Sequence, residues 1–261
     1  MISELNGTDI AFSDRGTGPT LLALHGALSS GKMWEPLFQT MPGVRFIAPD
    51  LPGHGASADA LPDVHTQTTR AMQALIDATG GPVDLVGYSY GGTIALRIAV
   101  ETPERVRSLT LIEPVFFAVA LADDPDFVSD MSALEEVLTN EGRHAATKAF
   151  LGQWGGGLPW AMMPKETQDD MASRIQVIID AGPALYEDTA GMLAEGRMQA
   201  LDIPVLLLRG SQSPHVVETI NTGLARRIPE AQSCVIEGAG HMAPISHPKE
   251  CAAQMRSFWN L

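Results

Sequence analysis

The sequence predicts an α/β fold, a mostly parallel β-sheet flanked by helices with a helical segment inserted near its end. Apolar strand-like runs alternate with helix-like segments over the first ~110 residues, and this alternation resumes at residue 203. From Pro114 to Ala200 the chain shows helical patches and no convincing strand. Apolar strands separated by helices are typical of a parallel sheet that is covered on both faces.

The first part of the chain supplies five predicted strands and two predicted helices. Each strand is a short apolar run bounded by turn residues, and the first helix ends at the double glycine Gly80-Gly81. The second helix stops near Pro103, because proline cannot continue a helix interior. The predicted strands lie at 10–12, 20–26, 44–50, 83–89 and 106–113, and the predicted helices at 66–81 and 90–106.

The later part of the chain divides into the helical segment and a return to alternation. Helical patches are predicted at 132–154 and 167–182, separated by a Gly- and Pro-rich break at 155–164. Strands follow at 203–210 and 231–238, with helices at 215–228 and 249–261. The predicted organisation is therefore a core domain of residues 1–113 and 201–261, with a helical insertion of residues 114–200. The length of 261 residues suits one such domain better than two equal ones.

Composition argues against several classes of partner. The formal net charge of -14 repels phosphate backbones and anionic membrane surfaces, so neither nucleic acid nor a membrane is expected as a partner. No basic segment followed by an apolar run opens the chain, which predicts no secretory signal and a cytoplasmic location.

Two cysteines, Cys234 and Cys251, are too few for a metal cage and have no ligand-spaced neighbours. We expect neither a metal nor a cofactor, and the oligomeric state is not readable.

The stretch GYSYGG at 87–92 carries the strongest chemical signal. It follows an apolar strand and opens a helix, which is the context of a G-x-S-x-G nucleophile elbow. A turn this tight pushes the hydroxyl of Ser89 above the sheet, and side chains at Gly87 and Gly91 would collide with neighbouring backbone. The helix that begins at Tyr90 points its positive end at an oxyanion formed near Ser89. The alternative, that Ser89 only caps this helix, is weakened by the strand before it.

With three further stretches the sequence resembles the α/β-hydrolase family over essentially its whole length. They are LHGALSS at 24–30, DLPGHGAS at 50–57 and GAGHM at 238–242. The resemblance implies an eight-stranded, mostly parallel sheet with a helical cap inserted after strand six. It also implies an oxyanion hole formed by the backbone N–H groups of Ala27 and Tyr90. His25, inside the HG turn, is expected to hold that loop rather than act as a base.

The base is predicted from the order Ser, acid, His that this fold uses. Ser89 needs a base, since a hydroxyl is a poor nucleophile at neutral pH. His241 lies in a glycine-flanked turn after the last strand and is the preferred candidate. His247 precedes Pro248 and is expected to begin the last helix.

The acid departs from the common pattern of the family, which has an Asp after the seventh strand. The corresponding stretch here is RGSQSPH, and the matching position is Ser213. Some hydrolases of this fold carry the acid directly after strand six, and that position is Glu113 in LTLIEPV. A carboxylate at the end of a buried strand is costly unless it is paired, and pairing with His241 would offset that cost. The alternatives are that Glu113 caps or bridges a residue of the insertion, or that the site is a Ser–His dyad.

These residues predict a cofactor-independent serine hydrolase, a carboxylesterase that cleaves small or medium apolar esters with a Ser89–His241–Glu113 triad. A lactonase or a C–C bond hydrolase using the same site, and a ligand receptor with slow or no turnover, are the alternatives. Haloalkane dehalogenation is disfavoured because the elbow holds a serine. Apolar residues of the insertion are candidates for the substrate pocket, namely Phe116, Phe117, Trp154, Trp160, Met162, Met163 and Tyr186.

Overall fold

The computed structural model describes residues 1–124, 126, 127, 131–155 and 158–259. An eight-stranded sheet forms the centre of the molecule, in the order β1-β2-β4-β3-β5-β6-β7-β8. The strands are β1 Ile2–Leu5, β2 Thr8–Arg15, β3 Thr20–Leu24, β4 Arg45–Pro49, β5 Val83–Tyr88, β6 Val106–Ile112, β7 Val205–Gly210 and β8 Gln232–Ile236.

Strand pairing confirms the predicted mostly parallel sheet. β2 is antiparallel to β1 and to β4, and the remaining pairs from β4 to β8 are parallel. The carboxyl ends of β3, β5, β6 and β7 therefore meet at one edge, where α/β proteins bind ligands. Tyr88 pairs with Ile112, and Ile112 pairs with Leu208, so the residues that follow these strands are neighbours.

The strand β1 was not predicted, although the sequence holds a signal for it. Asn6 and Gly7 join β1 to β2, and both have positive φ, of 51° and 76°. An Asn-Gly pair with two positive φ angles is typical of a type I′ hairpin turn. β1 has only four residues, and both β1 and β2 carry polar residues, which hides their alternation.

Ten α-helices belong to the described part of the chain. They are α1 Glu35–Phe38, α2 Val64–Thr79, α3 Tyr90–Glu101, α4 Phe117–Asp123, α5 Met131–Glu141, α6 Arg143–Trp154, α7 Lys165–Tyr186, α8 His215–Arg227, α9 Ala243–Ser246 and α10 Pro248–Trp259. None of the helices in the described residues is long and apolar enough to cross a membrane.

Four of these helices, α4 to α7, lie between β6 and β7. The helix predicted at 132–154 is two helices, because Gly142 between them has φ 86° and breaks the hydrogen-bond ladder. The helix predicted at 167–182 runs further at both ends, and Pro183 is tolerated in its last turn. The division into core and insertion domains stays a prediction.

Both faces of the central strands are buried, as the apolar runs predict. Leu22, Leu85 and Leu207 belong to the cluster on one face, and Leu21 and Leu206 to the cluster on the other. Successive side chains of a strand point to opposite faces, so a run such as TLLAL contributes to both clusters. This rigid double-sided core carries the strand ends on which the site is built.

Candidate active site

Ser89 lies in a strained turn between β5 and α3. Its φ and ψ are 52° and −119°, a conformation that non-glycine residues seldom adopt. A Cβ on Gly87 would lie 2.2 Å from the carbonyl oxygen of Gly91, and a Cβ on Gly91 would lie 2.4 Å from that of Leu24. The two glycines are therefore a steric requirement of the turn that exposes the Ser89 hydroxyl.

His241 connects Ser89 to Glu113 through its two ring nitrogens. Nε2 lies 3.1 Å from Oγ of Ser89, and Nδ1 lies 3.0 Å from Oε2 of Glu113. An ionised Glu113 can only accept a hydrogen bond, so Nδ1 carries the proton and Nε2 is the acceptor that faces the serine hydroxyl. The loop after β8 thus supplies a base within reach of a hydroxyl and oriented by a carboxylate.

Glu113 is fully buried directly after β6. Its φ of 53° turns the chain out of the sheet, much as at Ser89. Its Oε1 accepts hydrogen bonds from the backbone N–H of Gly210 at 2.5 Å and from the hydroxyl of Ser213 at 2.7 Å. Together with His241, these donors compensate the cost of burying the carboxylate.

Backbone hydrogen bonds to neighbouring strands hold the main chain of Ser89 and Glu113 in place. The backbone N–H of Ser89 donates to the carbonyl of Ile112 at 3.0 Å, and that of Glu113 donates to the carbonyl of Leu208 at 2.9 Å. Both bonds continue the parallel ladder by one residue beyond the strand ends. Hydroxyl and carboxylate are thereby fixed on neighbouring strands.

Two aromatic rings flank the imidazole of His241. The Tyr88 ring centre is 5.3 Å away and the Trp154 ring centre 4.9 Å away. The Tyr88 hydroxyl donates to the sulfur of Met242 at 3.1 Å. Burial raises the pKa of Tyr88 well above its usual value, and the nearby Glu113 carboxylate raises it further, so this ring stays neutral. The contact of Tyr88 with His241 was not predicted, because the sequence around Tyr88 indicates only that it belongs to a strand.

The predicted oxyanion-hole residues lie beside Ser89. Tyr90 is the first residue of α3, so its backbone N–H has no acceptor within the helix. A Cβ on Gly26 would lie 3.2 Å from Cβ of Ser89, which places the turn that holds Ala27 against the nucleophile. Ala27, Ser89 and Tyr90 line the same cavity.

His25 and His54 bond to backbone groups and serve the loops around the site. Nε2 of His25 accepts from the N–H of Leu51 at 2.9 Å, and Nε2 of His54 accepts from the N–H of Leu28 at 3.2 Å. Burial lowers the pKa of His25 well below its usual value and lowers that of His54 to about 4, so both rings are neutral. The role of His54 was not predicted.

A cavity of about 250 Å³ opens beside Ser89, between the sheet edge and the helices α5 to α7. Of the predicted pocket residues, Phe117, Trp154 and Tyr186 line it, and the rings of Phe117 and Tyr186 stack at 4.4 Å. Sequence reasoning did not identify most of the lining. The signal in the sequence was the recurrence of apolar and small residues at helical spacing along α5, α6 and α7. Examples in the lining are Leu134, Val137, Phe150, Ile178, Ala181 and Leu185.

Four predicted pocket residues, Phe116, Trp160, Met162 and Met163, lie outside this lining. Phe116 is fully buried in the core at the start of α4. Trp160 and Met162 belong to a short 3₁₀ helix that precedes α7. The side-chain amide of Gln168, on α7, donates to the carbonyls of Trp160 at 2.8 Å and Met163 at 3.1 Å, which holds this segment against α7. Met162 is 68% exposed, so it faces solvent.

Hydrogen bonds link the side chains of Ser89, His241 and Glu113 into one arrangement. In the described ranges, no three or more His, Cys, Asp or Glu residues gather as a metal-ligand set. The arrangement can move a proton from a hydroxyl to an imidazole and stabilise the imidazolium that results. That capacity suits attack of a serine on a carbonyl carbon.

Comparison with known proteins agrees with the fold. The chain is similar to lipase LipV of Mycobacterium tuberculosis (28% identity, 92% of this chain and 94% of that protein). It is also similar to a pimeloyl-[acyl-carrier protein] methyl ester esterase of Nitrosomonas europaea (26% identity, 90% and 93%). An alpha/beta hydrolase structure from Sphaerobacter thermophilus superposes with a TM-score of 0.78 (26% identity, 99% and 100%). These relatives support hydrolase activity. The model of the alpha/beta hydrolase family matches residues 21–254, and the chain belongs to that family.

Proposed function

We propose that this protein is a carboxylic ester hydrolase that works through an acyl-enzyme on Ser89. The observation that carries the proposal is the position of His241, 3.1 Å from the Ser89 hydroxyl and 3.0 Å from the Glu113 carboxylate. Nucleophile, base and orienting acid are thus in hydrogen-bond contact before any substrate binds. The proposed substrates are small or medium esters with an apolar acyl group, matched to the apolar cavity.

In the first step, Oγ of Ser89 attacks the ester carbonyl carbon while Nε2 of His241 takes the hydroxyl proton. The carbonyl oxygen becomes an oxyanion, which the N–H groups of Ala27 and Tyr90 and the positive end of α3 stabilise. The C–O bond to the alcohol then breaks, and His241 returns the proton to the departing oxygen. The acyl group remains on Ser89.

In the second step, water takes the place of the alcohol. His241 removes a proton from the water as it attacks the acyl carbon, and the proton passes to Oγ when the acyl-enzyme bond breaks. The products are a carboxylic acid and free Ser89. Glu113 stays ionised, fixes the proton on Nδ1 and stabilises the imidazolium in both steps.

The names of the relatives agree with ester chemistry. Lipase LipV and the pimeloyl-[acyl-carrier protein] methyl ester esterase are both named as enzymes that cleave carboxylic esters. Identities of 28% and 26% do not transfer a substrate. The apolar acyl group is therefore inferred from the cavity beside Ser89 and not from the substrate of either relative.

The test combines covalent labelling with a substrate panel. A fluorophosphonate probe is expected to label Ser89, and p-nitrophenyl esters of increasing acyl length are expected to be hydrolysed. The Ser89→Ala variant should lose labelling and about four or more orders of magnitude of kcat/KM while melting like the wild type. Full activity in folded Ser89→Ala would refute the mechanism. Wild-type protein that neither labels nor turns over any ester or lactone would indicate a ligand receptor instead.

A further inference from the structure

A second depression adjoins the site on the side of His241. It is a groove of about 480 Å³, formed where the loops after β7 and β8 meet the end of α6. Its lining differs from that of the cavity by its polar groups, which include Gln212, Ser246 and His247.

The two spaces divide the reacting groups between them. Ser89 and both predicted oxyanion donors line the apolar cavity, whereas His241 lines the groove. Gln153 and Trp154, at the end of α6, line both spaces. The Trp154 ring packs edge-on to the His241 imidazole at 4.9 Å, so the boundary between the two spaces lies at Trp154, directly beside the histidine.

The geometry of proton transfer indicates where the two parts of an ester lie, the acyl group in the cavity and the alcohol on the side of the groove. The acyl carbon must bond to Oγ of Ser89, and its chain then extends into the cavity that Ser89 lines. The alcohol oxygen must lie within hydrogen-bond reach of Nε2 of His241, because that nitrogen gives it a proton as the C–O bond breaks. The rest of the alcohol then extends past His241, toward the groove.

The chemistry of the groove indicates the kind of alcohol. Gln212 supplies an amide, Ser246 a hydroxyl and His247 an imidazole, and the last two are 2.8 Å apart. The described residues of the lining include no Asp, Glu, Lys or Arg. A groove lined by amide, hydroxyl and imidazole groups pairs with hydroxyl groups rather than with alkyl chains, since an unpaired polar group that loses water is costly. Its volume also exceeds what a methyl group fills.

We propose that the preferred substrates join an apolar acyl chain, held in the cavity, to an uncharged alcohol that carries further hydroxyl groups, held in the groove. This inference rests on the proposed ester hydrolysis and specifies its leaving group. A monoacylglycerol-like ester has this chemistry, and a simple alkyl ester of the same acid does not.

The experiment compares two esters of one acid, the 2,3-dihydroxypropyl and the propyl ester of hexanoic acid. The kcat/KM of each is divided by its rate of hydrolysis in alkali, which removes the difference in intrinsic reactivity. We expect the wild type to favour the dihydroxypropyl ester by about 10-fold, the effect of one or two added hydrogen bonds. Gln212→Leu keeps the side-chain size, removes the amide and should bring this ratio toward one.

Gln232→Leu is the matched control, because Gln232 is exposed at the opposite end of β8. It should leave the ratio at its wild-type value. A wild-type ratio of one or below would overturn the inference, as would a ratio that Gln212→Leu does not change. If neither ester nor any activated ester is hydrolysed, the proposed function fails. Hydrolysis of both esters without preference would overturn only the assignment of the groove.

Discussion

The hydroxyl of Ser213 donates a hydrogen bond to Oε1 of Glu113 across 2.7 Å. The resemblance to α/β hydrolases leads one to expect the catalytic aspartate at position 213, after strand seven. In this protein that position is a serine, and it contacts the glutamate at position 113, after strand six. The two positions therefore occupy one small volume on the same side of His241. In the proposed triad, Ser213 is a positioning residue that holds the glutamate from the loop after the neighbouring strand β7.

Glu113→Gln tests the proposed acid. The amide keeps the shape of the side chain but cannot stabilise an imidazolium, and it permits the wrong tautomer of His241. We expect kcat to fall by about 10²–10⁴ with little change in KM, because the loss falls on the transition state. Steady-state kinetics with a melting curve provide the measurement. A folded variant with near wild-type kcat would leave a Ser89–His241 dyad or an acid not identified here.

Ser213→Asp tests whether the two positions are equivalent. In the wild-type background it places a second carboxylate beside Glu113, and like charges at such a distance are unfavourable. We expect a lower melting temperature and no gain in kcat. In the Glu113→Gln background the repulsion is absent, and Ser213→Asp should recover part of the lost kcat. Equal effects of Ser213→Asp in both backgrounds would show that the positions do not act on the same histidine.

Acid should destabilise the fold through its buried histidines. Burial lowers the pKa of His54 to about 4 from an ordinary value of 6.5, so between these values the unfolded chain binds a proton that the folded chain does not. The free energy of unfolding therefore falls as the pH falls through this window. Burial, and to a lesser degree the charge of Arg97, lower the pKa of His65 to about 3, which extends the loss to lower pH.

Urea unfolding at pH 7.5 and pH 5.0 measures this effect. His54→Gln should reduce the difference in unfolding free energy between the two pH values by about 2 kcal/mol, the contribution of one histidine over this interval. An unchanged difference in His54→Gln would mean that His54 is protonated in the folded state.

Acyl-chain preference should depend on the cavity and not on the exposed 3₁₀ turn. Phe150 lines the cavity, so Phe150→Ala enlarges it and should shift the preference several-fold toward longer chains. Trp160 lies outside the lining, so Trp160→Ala should leave the preference unchanged. The measurement is kcat/KM over p-nitrophenyl esters of increasing length. A larger shift with Trp160→Ala than with Phe150→Ala would assign the acyl group to a different space.

Much of the fold was predictable because its signals are local. Apolar runs such as LTLI mark the buried strands, and the glycines beside Ser89 mark a turn that only they permit. In the hairpin around Asn6, β2 was predicted in part, at 10–12, whereas β1 was missed because it is short and mostly not buried. The split at Gly142 was missed since one glycine inside a helical pattern does not by itself end a helix.

The candidate site was predictable only in part, because its contacts join distant parts of the chain. The identities of Ser89, His241 and Glu113 follow from sequence position within a family. The hydrogen bond from Ser213 to Glu113 and the ring contact of Trp154 with His241 depend on packing between elements far apart in sequence. Trp160 was expected in a pocket for the same reason. The Gly- and Pro-rich sequence around it does not indicate which way its side chain points.

Unequal anchoring of the site has a consequence for heat inactivation. Ser89 and Glu113 continue the hydrogen-bond ladder of two central strands, whereas His241 is carried on the loop that follows β8, the last strand of the sheet. Edge elements open at a lower free energy than a central core does. On warming, the imidazole would leave its partners while the sheet is still intact, and activity would disappear reversibly below the main melting transition. Amide hydrogens of β8 would then exchange over the same temperatures at which turnover stops.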